Sequence, residues 1–84
     1  MFYIYVLKSK LDKKLYTGFT GNLKVRLREH KNGNVDSTKN RRPLELIYYE
    51  AYKQKVNALL REKFLKTTKG KLQLRKQIPN SSLV

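Results

Sequence analysis

Three side chains between positions 16 and 30 could work together chemically: the phenol of Tyr16, the guanidinium of Arg26 and the imidazole of His30. A guanidinium binds anions through its fork of N–H donors, and phenol and imidazole groups can exchange protons. A β-rich run ends near Gly18, a second glycine follows at Gly21, and an amphipathic helical pattern begins soon after. This order predicts that the three side chains lie around one corner, which we take as the candidate site.

Two strands are predicted to support this corner. Residues 2–8 have apolar side chains on both alternating faces, which is typical of a central strand that is covered on both sides. Residues 9–14 are polar and suit a hairpin turn, and residues 15–19 return as a second strand. An antiparallel pair would bring Tyr5 close to Tyr16 on one face of the sheet.

A helix is predicted to begin after Thr20 or Asn22, because either side chain can cap it, and to end at the Asn-Gly-Asn cluster of residues 32–34. Two leucines, Arg26 and His30 follow the spacing i, i+3, i+4 and i+7 along this helix. Arg26 and His30 are therefore expected to share one helical stripe with core leucines.

The second half of the chain contains the patterns of one strand and two helices. Residues 33–43 are polar and basic, and they are expected to form an exposed loop or a broken helical turn. Residues 44–52 alternate and favour a third strand, residues 54–66 have helical spacing, and residues 71–77 suit a short basic helix. The sequence therefore predicts an α+β fold in the order β-β-α-β-α-α, with a small three-stranded antiparallel sheet flanked by helices.

The helix predicted over residues 54–66 is expected to turn four apolar side chains inward: Val56, Leu59, Leu60 and Phe64. Glu62 lies within about 60° of Leu59 around a helix of about 3.6 residues per turn. Glu62 therefore borders the predicted apolar stripe, although a glutamate in such a basic segment is more commonly a solvated surface residue.

Length and composition limit the class of protein. The 84 residues suit one domain, which we expect to span residues 1–78 and to be followed by a flexible tail over residues 79–84. No apolar run approaches the roughly 18 residues that a membrane span needs. The chain has no cysteine, which excludes disulfides and thiolate metal sites and fits a cytoplasmic location.

The charge of the chain indicates a polyanionic partner. Lysine and arginine number 20 against 6 acidic residues, which gives a formal net charge of +14. Such an excess repels itself unless a polyanion neutralises part of it. Because the basic residues are spread along the chain rather than gathered on one amphipathic helix, nucleic acid is favoured over a membrane surface.

Five sequence elements, taken in order, resemble the GIY-YIG nuclease domain. They are Tyr3-Ile4-Tyr5, Tyr16-Thr17-Gly18, Arg26, His30 and Glu62. The resemblance covers about residues 2–75, and the chain is most similar to the small, stand-alone, single-domain bacterial members. Tyr3 and Thr17 replace a glycine and an isoleucine of the family motifs. A late asparagine that often braces the family's site has no clear equivalent here.

The resemblance implies an endonuclease that hydrolyses DNA phosphodiester bonds with one divalent ion, Mg²⁺ or Mn²⁺, held by Glu62. A hard cation of this kind accepts one or two protein carboxylates and keeps several waters, so a single glutamate can serve as its protein ligand. The ion would polarise the phosphate and stabilise the leaving oxygen.

The resemblance also implies roles for the other site residues. Tyr16 would be the general base, or would position the attacking water, with Tyr5 in support. An ordinary phenol has a pKa of about 10, so a tyrosine that acts as a base needs nearby cations. Arg26 would fork onto the scissile phosphate, and His30 would contact phosphate or assist proton transfer. Gly18 would let the backbone bend or approach closely.

Contacts with DNA are expected from basic residues that bind phosphates without reading sequence. These are Lys39, Arg41, Arg42, Lys66, Lys69, Lys71 and Arg75. No recognition helix or zinc finger is evident, so structure-selective or weakly selective cleavage is expected. Two alternatives stay open: a catalytically weak or silent nucleic-acid-binding module of the same fold, and a basic module associated with ribosomes or proteins. RNA as the nucleic acid, a protein partner and a homodimer also stay open.

Overall fold

The computed structural model describes residues 1–78, and the tail predicted over residues 79–84 lies outside the described residues. The strands are β1 (Phe2–Ser9), β2 (Leu15–Thr20) and β3 (Leu44–Tyr52), and the helices are α1 (Leu23–Lys31), α2 (Lys55–Leu65) and α3 (Thr68–Gln77). A short 3₁₀ turn, Lys39–Arg41, precedes β3. The predicted order β-β-α-β-α-α is confirmed. No helix within residues 1–78 is both long and apolar enough to cross a membrane.

The central strand of the sheet is β1. Both strand pairs are antiparallel and the strand order is β2-β1-β3. Residues 4–7 are all buried, which confirms the predicted covering on both sides. Ile4 and Val6 face α2 and α3, whereas Tyr5 points to the opposite side and meets α1, because successive strand residues alternate between faces. One face of β1 therefore builds the core, and the other supports the candidate site.

The hydrophobic core lies between β1 and the two C-terminal helices. Its buried members are Ile4, Val6, Ala58, Leu65, Leu74 and Ile78. Complete burial of an aliphatic side chain of this size stabilises the fold by about 1.5–3 kcal/mol. Because the cluster is small, each of its larger members matters for holding α2 and α3 against the sheet.

Short polar signals set both ends of α1. Of the two candidate caps, Asn22 is the one that acts: its side-chain oxygen accepts a hydrogen bond from the backbone N–H of Val25 at 3.2 Å. The helix ends at Asn32, and Gly33 follows with φ of +78°. This left-handed conformation favours glycine, since other residues have a Cβ that crowds the backbone.

The segment between α1 and β3 is less exposed than the sequence predicts. Its 3₁₀ turn matches the predicted broken helical turn. However, Val35 and Thr38 are buried, so the expectation of an exposed loop is wrong at these two positions. A threonine is readily buried when its hydroxyl has a partner, and the hydroxyl of Thr38 bonds to His30.

Helix α2 turns a different face inward from the one predicted. Val56, Leu59 and Leu60 are 61%, 40% and 62% exposed, so their predicted inward orientation is wrong, whereas Phe64 is half-buried against the core. The inward stripe consists of Ala58, Arg61, Glu62 and Leu65. Two charged residues thus occupy positions that the apolar pattern assigned to leucines, because Arg61 has an acidic partner on the sheet.

Helices α2 and α3 meet at a tight turn. The hydroxyl of Thr67 accepts a hydrogen bond from the N–H of Gly70 at 3.0 Å and donates one to the carbonyl of Phe64 at 2.6 Å. A Cβ on Gly70 would overlap the backbone carbonyl of Phe64. The Thr67 cap therefore starts α3 at Thr68, three residues before the predicted start at residue 71, and Gly70 lets the two helices approach closely.

Candidate active site

The hydroxyl of Tyr5 lies at the centre of a buried polar chain. It is 2.8 Å from His30 Nε2, and Arg26 Nε donates a hydrogen bond to it at 3.4 Å. On the other side of the imidazole, His30 Nδ1 is 2.7 Å from the hydroxyl of Thr38. Tyr5, His30 and Thr38 are each buried. The sheet, α1 and the following loop therefore each contribute one member of the chain.

The direction of the hydrogen bonds follows from the donor inventory. A guanidinium can only donate, so the Tyr5 oxygen accepts from Arg26 and its own proton is available to His30. His30 Nε2 is then the acceptor, and Nδ1 carries the proton that is donated to Thr38. In this tautomer the imidazole accepts a hydrogen bond from the Tyr5 hydroxyl.

Burial and neighbouring charges keep the hydrogen-bonded side chains of Tyr5 and His30 neutral. Burial lowers the pKa of His30, the positive charge of Arg26 lowers it further, and Glu29 opposes the shift. Burial also raises the pKa of Tyr5, against the lowering effect of its hydrogen bond with Arg26. At neutral pH the site therefore holds a neutral imidazole next to a protonated phenol.

Tyr16 forms the outer wall of the site. Its ring centroid lies 6.4 Å from that of Tyr5 and 5.3 Å from the imidazole of His30. The predicted proximity of the two tyrosines on one face of the β1–β2 pair is thus present. Tyr16 is half-buried whereas Tyr5 is fully buried, so Tyr16 is the phenol that a bound substrate can reach.

Gly18 makes room for the hydroxyl of Tyr5. The two residues are paired across β1 and β2. A Cβ added at Gly18 would overlap the Tyr5 hydroxyl and lie 2.9 Å from Cε1 of its ring. Tyr5 is fully buried and hydrogen-bonded to His30. Its ring therefore cannot move aside without breaking that hydrogen bond. The close approach that the sequence suggested for Gly18 therefore involves a side chain of the site itself.

Arg26 lies at the open edge of the site. Its Nη1 donates to Glu29 at 3.1 Å, and the side chain is 35% exposed. The hydrogen bond with Tyr5 raises the pKa of Arg26, burial opposes that effect and Glu29 reinforces it. These contacts use two of the five N–H donors of a guanidinium, so the group is held in place while further donors face outward.

Glu62 approaches the same corner from α2. Burial is the main cause of the raised pKa of Tyr5, and the negative charge of Glu62 adds a small further increase. The carboxylate is 22% exposed and pairs with Lys66 at 3.3 Å. Residues 1–78 contain no cluster of three or more potential metal ligands. A lone, partly exposed carboxylate suits a hard cation that keeps most of its waters.

The basic residues expected to contact DNA divide into two groups. Arg41 pairs with Asp12 at 3.2 Å, and Arg42 donates to the backbone carbonyls of Lys31 and Lys39. These two arginines therefore stabilise the loop before β3. Exposed basic side chains make up the other group: Lys39, Lys66, Lys69, Lys71 and Arg75.

Two polar residues of the site, and one polar residue of a separate cluster beneath α2, were not found from the sequence. Thr38 gave no signal, because its contact with His30 depends on the path of a loop. Glu29 could have been found, since it is three positions from Arg26 on a helix. Glu50, which binds Arg61 of α2, stands in an alternating strand pattern that gave no hint of its burial.

The chain matches the GIY-YIG catalytic domain over residues 1–76. It therefore belongs to the GIY-YIG family, a nuclease family, as the tyrosine motifs indicated.

Within that family the chain is similar to UPF0213 proteins of bacteria. It is 44% identical over 77 residues to one from Clostridium perfringens, covering 88% of this chain and 82% of the relative. It is 42% identical over 81 residues to one from Syntrophus aciditrophicus, covering 92% of each. The solution NMR structure of a UPF0213 protein from Bacillus halodurans has the same fold, with a TM-score of 0.58, 31% identity, and coverage of 92% of this chain and 85% of that one.

Proposed function

We propose that this protein is a divalent-metal-dependent endonuclease that hydrolyses DNA phosphodiester bonds. The observation that carries the proposal is the meeting of Tyr5, Tyr16, Arg26 and His30 at one corner, with the charge of Glu62 acting on the same phenol. These groups come from two strands and two helices. A purely structural explanation would have to account separately for each.

Arg26 is the phosphate-binding group in this proposal. Its guanidinium is fixed by Tyr5 and Glu29 at an open edge, so it meets the scissile phosphate without first having to be ordered. A preorganised donor of this kind stabilises the charge that develops in the transition state. The planar fork also matches two phosphate oxygens better than an ammonium group does.

Tyr16 is the group that handles the attacking water. Its accessible phenol stands beside the Tyr5–His30–Thr38 chain. Tyr5 and His30 form the inner support: His30 accepts a hydrogen bond from the Tyr5 hydroxyl and keeps that oxygen oriented towards Arg26. The Tyr16 oxygen would position the attacking water or accept a proton from it.

Glu62 would hold one Mg²⁺ or Mn²⁺ ion, which when bound supplies positive charge to the phosphate and to the leaving oxygen. The pairing of Glu62 with Lys66 is compatible with this role, because the lysine side chain is 55% exposed and can leave the carboxylate. Lys66 is then free to contact a neighbouring phosphate.

The exposed basic group, Lys39, Lys66, Lys69, Lys71 and Arg75, would bind the DNA backbone. Five contacts with duplex phosphates predict a slope of about −4.5 for log K against log salt, at about 0.9 per contact. A salt titration with a labelled duplex measures this slope. A slope near zero would contradict the proposed binding surface. Contacts of this kind do not read sequence, so we propose structure-selective or weakly selective cleavage.

A catalytically weak or silent DNA-binding module is the second candidate. It is favoured by one observation: residues 1–78 contain no group of three or more acidic, histidine or cysteine side chains that could hold a metal ion. Such a module would keep the salt dependence of binding but would not cut DNA with any metal.

A cleavage panel separates the two candidates. Purified protein is incubated with nicked, flapped, branched and single-stranded DNA in Mg²⁺, in Mn²⁺ and in chelator. The nuclease predicts metal-dependent products that disappear in Glu62→Ala and in Tyr16→Phe. The silent module predicts binding without products, and cutting that survives both substitutions indicates a contaminating enzyme.

A further inference from the structure

A second polar cluster, centred on Glu50, lies on the face of the sheet that α2 covers. Arg61 donates to both carboxylate oxygens of Glu50, through Nε and Nη2, at 3.0 Å each. The hydroxyls of Tyr48 and Tyr52 donate to the same two oxygens. Arg61 Nη2 also donates to the side-chain oxygen of Gln77 on α3 at 3.1 Å. The Glu50–Arg61 pair thus connects β3 to both C-terminal helices.

Burial and hydrogen bonds shift the pKa values of the acidic and phenolic groups in this cluster. Burial alone would raise the pKa of Glu50, but hydrogen bonds from Arg61, Tyr48 and Tyr52 outweigh it and lower that pKa below its ordinary value. Burial, followed by the hydrogen bond to Glu50 and its charge, raises the pKa of each tyrosine to about 12. At neutral pH Glu50 is therefore ionised, and both phenols are donors.

The rotation of α2 about its axis is not set by apolar burial alone. The exposed residues Val56, Leu59 and Leu60 form an apolar stripe nearly opposite the inward stripe. Burying that stripe instead would turn Arg61 away from Glu50 and would leave a carboxylate on the sheet without its main partner. The bidentate pair therefore selects which face of α2 meets the sheet.

The rotation of α2 matters because Glu62 follows Arg61 directly. Side chains extend to about 5–6 Å from a helix axis, so a turn of about 20° would move the Glu62 carboxylate by about 2 Å. A misplacement of about 1 Å at a reacting centre can lower a rate by about 100-fold.

We propose that Glu50 and Arg61 are positioning residues that fix the rotation of α2 about its axis. They thereby direct the Glu62 carboxylate towards the candidate active site around Tyr5. This inference rests on the proposed nuclease function. The pair fulfils, from the far side of the sheet, a bracing role for which the sequence has no clearly placed asparagine.

The kinetic test uses Arg61→Lys, which keeps the charge and loses the fork, and Glu50→Gln, which keeps a side chain of the same shape. Each should lower kcat by about 10- to 100-fold, as is typical when a partner behind a metal ligand is lost. KM for DNA should stay within about twofold, because neither residue belongs to the surface proposed to contact the DNA backbone. The control is Arg28→Lys, the same change at an exposed arginine of α1, which should leave kcat within about twofold.

A second readout requires neither metal nor cleavage. Protein with ¹³C-labelled tyrosine is followed by NMR. The change in the chemical shift of the Tyr5 ring that Glu62→Gln causes is measured in the wild-type background and in the Arg61→Lys background. We expect a clear change in the wild type and less than half of it in the Arg61→Lys background. Glu50→Gln, examined in the same way, gives an independent second value and serves if Arg61→Lys does not fold.

The outcomes distinguish the two proposals. If the wild type cuts no DNA but the Tyr5 response still falls in both backgrounds, the nuclease function fails and the positioning stands. The positioning is overturned if the response is unchanged in Arg61→Lys and Glu50→Gln, or if Glu62→Gln has no effect on Tyr5 in the wild type. Equal losses of kcat in Arg28→Lys and Arg61→Lys would also overturn it, since the effect would then not depend on the contact with Glu50.

Discussion

Helices α1 and α2 both bring charged residues to the same corner, but they are built in different ways. In α1, Arg26 and His30 share a stripe with half-buried leucines, so the apolar pattern and the site point in the same direction. In α2, the stripe that carries Glu62 is opposite to the exposed leucines. An apolar stripe therefore locates the functional face of a helix only when no strong polar partner on the sheet competes for it.

Truncating one leucine on each side of α2 tests which face of the helix packs against the sheet. Leu65→Ala should lower the free energy of unfolding by about 2–5 kcal/mol, because Leu65 is buried in the small core. Leu60→Ala should change it by no more than about 0.5 kcal/mol, since Leu60 is 62% exposed. Urea denaturation followed by circular dichroism measures both. Equal losses would mean that α2 packs by its leucine stripe.

The functional role of the α1 stripe is tested by Arg26→Lys. This change keeps the charge but removes the fork that binds two phosphate oxygens, so kcat should fall by about 100-fold with little change in stability. Arg28→Lys is the matched control, because Arg28 is an exposed arginine of the same helix. Similar activities for the two variants would argue that Arg26 is only a surface cation.

The junction of strand and site is tested by Gly18→Ala. The added methyl group must displace the ring of Tyr5, which should cost about 1–3 kcal/mol of stability and lower kcat as well. Gly21→Ala offers the comparison, since a Cβ there meets nothing within 4 Å. If Gly18→Ala matched Gly21→Ala in both stability and activity, the close packing of Tyr5 on β2 would be contradicted.

A smaller effect is expected from pH, through Glu50 beneath the sheet. Its pKa is lower in the folded protein than the ordinary value of 4.5. Its contribution to stability is therefore fully present above pH 4.5 and is lost as the pH falls through the folded-state pKa. Urea titrations should show that the stability difference between wild type and Glu50→Gln shrinks below pH 4.5. A difference that stays constant there would mean that folding does not lower the pKa of Glu50.

The sequence predicted most of the fold because its strongest patterns are local. The two-sided run of residues 2–8, the cap at Asn22 and the Asn-Gly-Asn stop each reflect neighbours in the chain, and each agrees with the structure. The order of strands and helices followed from these signals. The inward face of α2 did not, because it depends on Glu50, eleven positions away from Arg61 and on another element.

Most residues of the candidate site were predicted from the sequence, but the hydrogen bonds between them were not. Tyr5, Tyr16, Arg26 and His30 were chosen from motif and spacing, and the structure brings them together. Thr38 could not be chosen, since only the folded loop delivers its hydroxyl to His30. Long-range polar contacts of this kind leave no periodic trace in a sequence.

The central claim is that the Tyr5 corner and Glu62 of α2 form one catalytic site. The most direct test compares metal-dependent DNA cleavage by the wild type and by Glu62→Gln, an isosteric change that removes the charge. Several kcal/mol of transition-state stabilisation are expected to depend on that charge, so the rate should fall by about 1000-fold while DNA binding is retained. Cleavage within about twofold of the wild type would contradict the claim.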